Sequence, residues 1–235
     1  MIKNKKASHV GVVLSFVVFV TFLVFLYSIL EPQLRVEKDK EALVGYLEGE
    51  LMNIFTSELI IVTVGGDGST GNANCMKLMN KDIEVDDDIN IVVKDGETMV
   101  DFKQKKNDIE SEWDGKEILN IYYAEEEFEF NINSPSCKGY FNHEIRLVDK
   151  DEYIFESRVE ETVNNYTDDY DKLKENLNVL MGNEFGFEFF DKERNSLYKT
   201  NEEDVSLSVF ASEIPIQYVD KQANIEPGFI IVRVW

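Results

Sequence analysis

Residues 10–30 of the chain read VGVVLSFVVFVTFLVFLYSIL, and this stretch sets the architecture of everything that follows it. It contains no charged residue, and as an α-helix it would be about 30 Å long, which matches the hydrocarbon core of a bilayer. The sequence therefore predicts a membrane-spanning helix. Two alternatives stay open, a cleaved secretory signal and the buried helix of a globular core. A cleaved signal usually has a shorter apolar region and a small-x-small cleavage site, whereas this stretch runs into Glu31-Pro32.

Charge is distributed unequally on the two sides of this stretch. Lys3, Lys5 and Lys6 precede it, and all 46 acidic residues of the chain follow it. By the positive-inside rule, residues 1–9 remain in the cytoplasm and the chain after residue 30 lies outside. The predicted localisation is therefore the cell membrane, with a single pass and a large extracytoplasmic part.

The composition limits the classes of partner. The chain has 235 residues and a formal net charge of −22, and the part after the apolar stretch is long enough for one domain or two small ones. Nucleic acid and anionic lipid headgroups are not expected as partners, because both are polyanions that an acidic protein repels. Membrane lipid should contact the protein through residues 10–30. His9 and His143 are the two histidines, and this scarcity argues against histidine catalysis or a zinc site.

Residues 31–58 are predicted to form a stalk. Glu31-Pro32 predicts a kink or a break in the helix, since the residue before a proline is biased away from helical geometry. A second, amphipathic helix is expected over Asp39–Glu58, because apolar residues recur there at helical spacing. These residues are Leu43, Val44, Leu47, Leu51, Ile54 and Phe55.

Residues 59–235 are predicted to form one extracytoplasmic, β-rich domain without an internal boundary. Its turn signals, Asp95-Gly96 and Asp149-Lys150-Asp151, each predict a hairpin. One further helix is expected at about residues 167–181, ending near Gly182. The predicted strands are Leu59–Val64, Ile89–Lys94, Thr98–Lys103, Ile118–Ile132, His143–Val148, Tyr153–Val159, Phe185–Phe190, Leu197–Thr200, Val205–Val219 and Phe229–Trp235.

The predicted fold class is accordingly α+β. It consists of an N-terminal transmembrane helix and a stalk helix, followed by a mainly antiparallel β-sheet domain with one further helix packed on the sheet.

Two modifications are predicted if the domain lies outside the cell. Cys75 and Cys137 are then expected to form a disulfide, whereas in a reducing compartment they would remain free thiols. Asn165 begins the sequon Asn-Tyr-Thr and is a candidate site of N-glycosylation.

Other motifs are interpreted as loops rather than sites. Residues 66–71, GDGSTG, match the dinucleotide pattern G-x-G-x-x-G, but no helical stripe follows and Asp67 would repel a phosphate. The acidic residues within 82–88 lack the spacing of an EF-hand, so a solvated loop is expected there; they are Asp82, Glu84, Asp86, Asp87 and Asp88. The runs Glu125–Glu127 and Glu202–Asp204 are interpreted as solvated too. The sequence predicts no catalytic, cofactor-binding or metal-binding residue, so the chain is not expected to be an enzyme or to carry a cofactor.

The N-terminal layout is similar to that of a known class of proteins. Lysines and a small residue precede SHVGVVLSFVVFV (residues 8–20), and an acidic stalk follows. This arrangement resembles the class III signal and helix of archaeal type IV pilin-like proteins. LNVLMGNEFGFEF (residues 177–189) and PIQYVDKQANIEPGFIIVRVW (residues 215–235) are similar in style to an uncharacterised branch of membrane-anchored surface proteins of small-genome archaea.

The resemblance implies processing and assembly. In that family a membrane peptidase cuts just before the apolar helix, which implies a cut after Lys6 or between Ala7 and Ser8. The family usually has a glutamate at the fifth residue of the mature chain, where this chain has Gly11 or Val12. The function implied is a pilin-like structural or interaction protein, a minor or accessory subunit, with other pilin-like subunits as partners.

Two other functions stay open. One is a single-pass adhesion or ligand-binding module that never polymerises, and the other is an exported hydrolase that uses acidic residues.

Overall fold

The computed structural model describes residues 6–66, 73–79, 83, 89–105, 108–113, 116–130, 133–179, 182–201 and 209–235, with the backbone alone at residues 6–9 and 32–37. The helices are α1 (Lys6–Phe55), α2 (Glu156–Asp168) and α3 (Tyr170–Asn176). The strands are β1 (Thr56–Gly66), β2 (Cys75–Met79), β3 (Asn90–Asp95), β4 (Thr98–Met99), β5 (Phe102–Lys105), β6 (Asp108–Glu112), β7 (Ile118–Ala124), β8 (His143–Phe155), β9 (Phe185–Asp191), β10 (Ser196–Lys199), β11 (Phe210–Val219) and β12 (Ile225–Val234).

α1 is a single helix that passes through Pro32 without ending. The break predicted at Glu31-Pro32 is therefore wrong, and the predicted spanning and stalk helices are parts of one helix. A kink at this point stays a prediction. A proline inside a helix removes one hydrogen bond and crowds the preceding turn, at a cost of about 3 kcal/mol. Long helical segments on both sides outweigh that cost, because each added residue contributes to a helix that has already formed. α1 ends at Phe55, so Thr56–Glu58, which the sequence assigned to the stalk, begin β1 instead.

The strands form a large sheet and a small one. The large sheet has nine strands in the order β10-β9-β12-β11-β8-β1-β7-β3-β4, and the small sheet has the order β2-β6-β5. Neighbouring strands in both sheets are antiparallel except for β8 and β11. The predicted α+β class with a mainly antiparallel sheet is confirmed, but two helices, α2 and α3, take the place of the one further helix.

β8 and β11 diverge after a short parallel contact. Only the ends of the two strands pair, at Ile154–Phe155 and Tyr218–Val219, while β8 pairs with β1 and β11 with β12 along their lengths. An open groove of about 530 Å³ lies between the diverging strands, and Asp151, Glu152 and Pro215 are among the residues that line it.

β8 replaces the second predicted hairpin. Asp149-Lys150-Asp151 lies inside this strand and pairs with Leu59–Ile61 of β1, so the turn predicted there is wrong. The three residues include no glycine or asparagine for a tight reversal, and the long apolar β1 offers a continuous ladder of hydrogen bonds. The residues after Phe155 are helical, and Val159 is a buried residue of α2 rather than the end of a strand.

α2 and α3 replace the single helix predicted at residues 167–181. Asp169 separates them, and its side chain accepts a backbone N–H hydrogen bond at 3.2 Å that caps α3. Asn178 ends this region with a positive φ of 53°, and the N–H of Val179 donates to the carbonyl of Lys174 at 3.0 Å. This is a Schellman cap in which asparagine takes the left-handed position. Gly182, predicted to end the helix, lies beyond that cap.

The first hairpin is confirmed in part, with its turn moved by one residue. The strand predicted at Thr98–Lys103 is divided, since Thr98–Met99 pairs with β3 and Phe102–Lys105 belongs to the small sheet. The turn is Gly96-Glu97 rather than Asp95-Gly96, because Lys94 pairs with Met99 and Asp95 with Thr98. Gly96 has a φ of 60°, which glycine adopts readily at the first position of a two-residue turn.

Two other predicted strands are shorter than expected. The strand predicted at Ile118–Ile132 ends at Ala124, and residues 131–132 lie outside the described residues. The described part of the strand predicted at Val205–Val219 begins at Phe210, and residues 202–208 lie outside the described residues.

Three clusters of buried side chains hold these layers together. In the first, the end of α1 packs with α2 and α3 against β9 and β12. In the second, the apolar face of β1, β3 and β7 packs against the small sheet. The third lies on the opposite face of β1 and β7, and residues of the β11–β12 turn cover it.

Candidate functional site

α1 lies in two different environments. In its last turns Val44, Leu47, Leu51 and Phe55 recur on one face, and each is at most 5% exposed. No part of Val10–Glu31 is buried, and this segment is long and apolar enough to cross a membrane. The apolar stripe predicted for the stalk is therefore confirmed as a packing surface. The helix leads directly from a fully exposed apolar segment into the core of the domain.

Polar contacts fasten the end of α1 to the domain. Arg158 of α2 donates from Nη1 to the carbonyl of Ile54 at 3.4 Å, and its Nε donates to Glu126. The hydroxyl of Thr56 donates to the carbonyl of Met52 at 2.7 Å. These donors satisfy carbonyls that have no partner within the helix, and Arg158 places a positive charge at the negative end of the helix dipole.

The predicted processing residues lie at the start of α1. Lys6, Ala7 and Ser8 all have helical backbone, and the structure describes only the backbone of these residues. Cleavage at this point stays a prediction.

Cys75 and Cys137, the pair named by the sequence, are joined by a disulfide with a Cα–Cα distance of 5.5 Å. Hydrogen bonds support the same connection, since Asn74 donates from Nδ2 to the carbonyl of Ser136 at 2.9 Å. The oxygen of the same carboxamide accepts the backbone N–H of Lys138 at 2.8 Å. The bridge thus attaches the irregular segment before β8 to the buried start of β2.

Asn165 lies exposed in the last turn of α2. Its neighbour Tyr166 points inward and donates its hydroxyl hydrogen to the carbonyl of Phe185 at 2.7 Å. The asparagine is thus on the solvent side of the helix, as a glycosylation site requires. Attachment of a sugar stays a prediction.

A pocket of about 370 Å³ lies beside the sequon, and the sequence did not predict it. Residues from α2, α3 and the ends of β9, β10 and β12 line it; they are Tyr166, Thr167, Tyr170, Glu184, Asn201 and Trp235. These residues are far apart in the chain, so no local motif joins them. In the sequence, the residues that could have indicated a pocket were Tyr166, Tyr170 and Trp235.

Hydrogen bonds fix the polar groups of this pocket. Tyr170 donates its hydroxyl hydrogen to Glu184 at 2.6 Å, and Lys174 donates to the same carboxylate at 2.7 Å. Burial opposes ionisation of Glu184, but the bonds from Lys174 and Tyr170 outweigh it and lower the pKa of this carboxyl. Burial raises the pKa of Tyr170, and the bond to Glu184 adds to the shift. The pocket therefore presents aromatic rings and a carboxylate that stays ionised.

The motifs interpreted as loops have mixed outcomes. Gly66 ends β1 at a point where a Cβ would lie 2.8 Å from the Trp113 ring, so packing explains this glycine without a nucleotide. Residues 67–72 and 202–204, and the acidic members of 82–88, lie outside the described residues. Glu126 is an ion-pair partner of Arg158 and only partly exposed, so for this residue the solvated interpretation is wrong. Among the residues that the structure describes, no group of three potential metal ligands occurs.

Comparison of the chain with models of protein families, with curated proteins and with solved structures finds no match.

Proposed function

We propose that the chain is a single-pass membrane protein that presents its β-sheet domain outside the cell, as a minor or accessory subunit of the pilin-like class. The observation that carries this proposal is α1, in which a fully exposed apolar segment, Val10–Glu31, continues into an embedded one. A bilayer would remove this apolar surface from water, and contiguous apolar patches of that size are rare on soluble proteins. The whole helix is about 75 Å long, which is enough to span a bilayer and to enter the domain.

Extraction of membranes tests the anchor. The full chain should stay in the membrane during an alkaline carbonate wash and leave it with detergent. A variant with Val18→Lys and Phe22→Lys should be released by carbonate, because each charge at the bilayer centre costs about 3 kcal/mol. The matched control, Val18→Leu with Phe22→Leu, should behave like the natural chain. Release of the natural chain by carbonate would contradict the anchor.

Orientation is inferred from the charges of the chain. Lys3, Lys5 and Lys6 precede the apolar segment and no acidic residue does, which favours a cytoplasmic N-terminus. Protease added to intact cells should therefore remove the β-sheet domain. Complete protection of the domain in cells whose surface is accessible to protease would reverse the orientation.

The accessory role rests on the start of α1. In a bundle of apolar helices, a processed chain would carry its positive N-terminal amine into a medium that stabilises charge poorly. Neither Gly11 nor Val12 can pair with that amine, and the first carboxylate along the helix is Glu31. We therefore propose that this chain does not polymerise alone and joins other pilin-like subunits.

Electron microscopy tests the accessory role. Cells that express this chain as their only pilin-like protein should lack filaments made of it. Gly11→Glu or Val12→Glu should improve incorporation into filaments of other subunits, whereas Gly11→Gln, which adds similar bulk without charge, should not. Abundant filaments of the natural chain alone would refute the proposal. Sequencing the N-terminus of the extracted protein would establish whether the Ala7–Ser8 bond is cut.

The pocket supports a second candidate function, a ligand-binding module that does not polymerise. Aromatic rings beside a carboxylate and an amide suit a small ligand with both an apolar face and hydroxyl groups, such as a sugar. Adding soluble monosaccharides while tryptophan fluorescence is recorded tests this function. Trp235 lines the pocket, so its emission should change on binding, whereas Trp113 lies buried in another cluster. A response that disappears in Trp235→Phe would support binding at the pocket, and no response to any sugar would count against it.

A further inference from the structure

Lys94 of β3 is buried to an unusual degree for a lysine. Its side chain is 1% exposed, and Nζ donates a hydrogen bond to Oδ1 of Asn224 at 2.7 Å. The ammonium end lies 5.3 Å from the centre of the Tyr122 ring. Within the described part of the chain, no carboxylate lies at ion-pair distance from Nζ. Lysine is almost never fully buried without such a partner, so this placement needs a reason.

Asn224 is held in a fixed orientation toward Lys94. Its Nδ2 donates to Oδ2 of Asp220 at 2.7 Å, and its backbone N–H donates to Oδ1 of the same carboxylate at 2.7 Å. Because an ionised carboxylate accepts hydrogen bonds and donates none, the amide nitrogen must face Asp220. The carbonyl oxygen therefore faces the lysine. A 2.7 Å contact to that oxygen places the carbonyl carbon roughly 3.5 Å from Nζ, which is close to attack distance.

The turn itself does not require a lysine. Residues 191–195 read DKERN and residues 220–224 read DKQAN, and both turns join neighbouring strands. In the first, the backbone N–H and Nδ2 of Asn195 donate to the two oxygens of Asp191 at 2.8 and 2.7 Å. The bonds between Asp220 and Asn224 are thus ordinary turn chemistry. The two turns differ in one interaction. Lys94 donates a hydrogen bond to Asn224, whereas no described lysine donates one to the carboxamide of Asn195.

The surroundings make the uncharged amine of Lys94 more accessible than it is in water. Burial lowers the pKa of Lys94, and the opposing charges of Asp220 and Glu97 do not fully compensate. A neutral amine carries the lone pair that makes lysine a nucleophile, and burial is a usual way of supplying it. The simpler interpretation, a lysine that serves only as a hydrogen-bond donor, accounts for the contact with Asn224 but not for the choice of a residue that is costly to bury.

We propose that Lys94 and Asn224 react with each other and form an intramolecular isopeptide bond. Nζ of the neutral lysine attacks Cγ of Asn224, and the new Nζ–Cγ bond replaces the Cγ–Nδ2 bond. Nδ2 leaves as ammonia, with its own two hydrogens and one proton that comes from Nζ. The ionised Asp220 accepts a hydrogen bond from Nδ2. Once Nζ is bonded to the same carbon as Nδ2, Asp220 is the group placed to take the proton that Nζ loses and to pass it to Nδ2. The step involves no change of oxidation state and needs no second reactant.

The bond would connect distant parts of the fold. Lys94 and Asn224 are 130 residues apart in sequence. β3 and β12 are separated in the large sheet by β7, β1, β8 and β11. The cross-link would thus attach the β11–β12 turn across the face of the sheet and close the third cluster covalently. Holding the two groups together in the fold replaces a collision between separate molecules, which is the main requirement of such a reaction.

Mass spectrometry of the detergent-extracted full chain tests the proposal. Its intact mass should be lower than the mass of the disulfide-bonded chain by one ammonia. After reduction and trypsin digestion, a branched peptide should contain both Lys94 and Asn224, with no cleavage after Lys94. A full mass and two separate unmodified peptides would overturn the proposal. Loss of ammonia confined to a peptide that is not linked to Lys94 would also overturn it, because asparagine can lose ammonia by cyclising on its own backbone.

Three variants sharpen the result. Lys94→Met keeps the length of the side chain without an amine, and Asn224→Ala removes the acceptor, so both should have the full mass calculated from their sequences. Asn195→Ala is the matched control, since it removes the same turn bonds from an asparagine to which no described lysine donates, and its cross-link should persist. Failure of a variant to fold leaves the measurement on the natural chain decisive. Ammonia loss that survives in Lys94→Met would contradict the assignment.

Discussion

The turns 191–195 and 220–224 have the same backbone and different surroundings. In each, the first N–H donates to the carbonyl of the asparagine, at 3.1 and 2.9 Å, and the fourth residue has a positive φ. The first turn lies in solvent, where Arg194 pairs with Glu213 and Lys192 pairs with Glu226. The second turn is pressed against the sheet, where Ala223 is 1% exposed. The comparison teaches that five local residues suffice to build a turn, whereas its chemistry depends on what the rest of the chain brings to it.

Removal of the buried amine of Lys94 should cause the largest loss of stability. Lys94→Met should lower the free energy of unfolding by about 5 kcal/mol, because a cross-link between residues 130 apart restricts the unfolded chain by about that much. Denaturation of the extracted protein measures it. Lys192→Met, in the exposed turn, should leave stability almost unchanged, because a surface ion pair contributes little. A loss of only about 1 kcal/mol in Lys94→Met would indicate a hydrogen bond and no covalent link.

Removal of the turn carboxylates should separate turn formation from the reaction. Asp191→Ala and Asp220→Ala each lose two hydrogen bonds to an asparagine, so both should be less stable than the natural chain. Asp220→Ala should lose more stability than Asp191→Ala, because it also loses the contribution of the cross-link. Asp220→Ala should in addition leave most molecules without the cross-link, which intact mass measures. If both variants lost the same stability and Asp220→Ala remained fully cross-linked, the proton-transfer role of Asp220 would be wrong.

Acid should weaken the exposed turn in a predictable direction. The side-chain bond from Asn195 lowers the pKa of Asp191 below its ordinary value of 3.8. A lowered folded-state pKa contributes stability above pH 3.8, and that contribution is lost as the pH falls through the folded value. Carboxyl NMR should find Asp191 titrating below 3.8, and Asn195→Ala should move it back toward 3.8. Titration of Asp191 at or above that value in the natural chain would show that the bond is not formed.

Glycine at the positive-φ positions should have the smallest effects. Ala223 has a φ of 58° and Arg194 a φ of 66°, and non-glycine residues are strained in this region. Ala223→Gly should therefore raise stability by up to about 0.5 kcal/mol. Arg194→Gly should be close to neutral, because the relief of backbone strain is offset by loss of the exposed ion pair with Glu213. Thermal unfolding of both variants measures the difference. A clear loss of stability in Ala223→Gly would mean that the packing of the methyl group contributes more than the backbone strain costs.

Elements with strong local patterns could be predicted from the sequence. The apolar segment at residues 10–30, the stripe of the docked helix and strands such as β1, β9 and β12 follow from hydrophobic periodicity alone. The disulfide pair follows from there being two cysteines. The helix and strand predictions succeed because the pattern and the structure depend on the same short stretch of residues. Cys75 and Cys137 are 62 residues apart, and they could be paired because the chain has no other cysteine.

Elements set by distant contacts could not be predicted in the same way. Asp149-Lys150-Asp151 has the composition of a turn, yet the ladder offered by β1 makes it a strand. Asn178, with its positive φ, caps α3 where the chain reverses. The prediction that the helix ends near Gly182 relied on residue type alone and was wrong. Lys94 follows INIVV in a strand and looks like an ordinary edge residue. Its burial depends on a turn 130 residues later, and no local pattern reports that contact.

The edges beside the groove between β8 and β11 affect how closely copies of the protein can approach one another on a membrane. Anchored proteins are confined to two dimensions, where unpaired strand edges on neighbouring copies meet often and can join into a continuous sheet. Pro215 has no N–H with which to begin such a ladder, and Asp149, Asp151 and Glu152 give approaching β8 edges the same charge. If the protein is anchored as proposed, the divergent edges can tolerate crowding, because side-by-side contact is repelled rather than propagated.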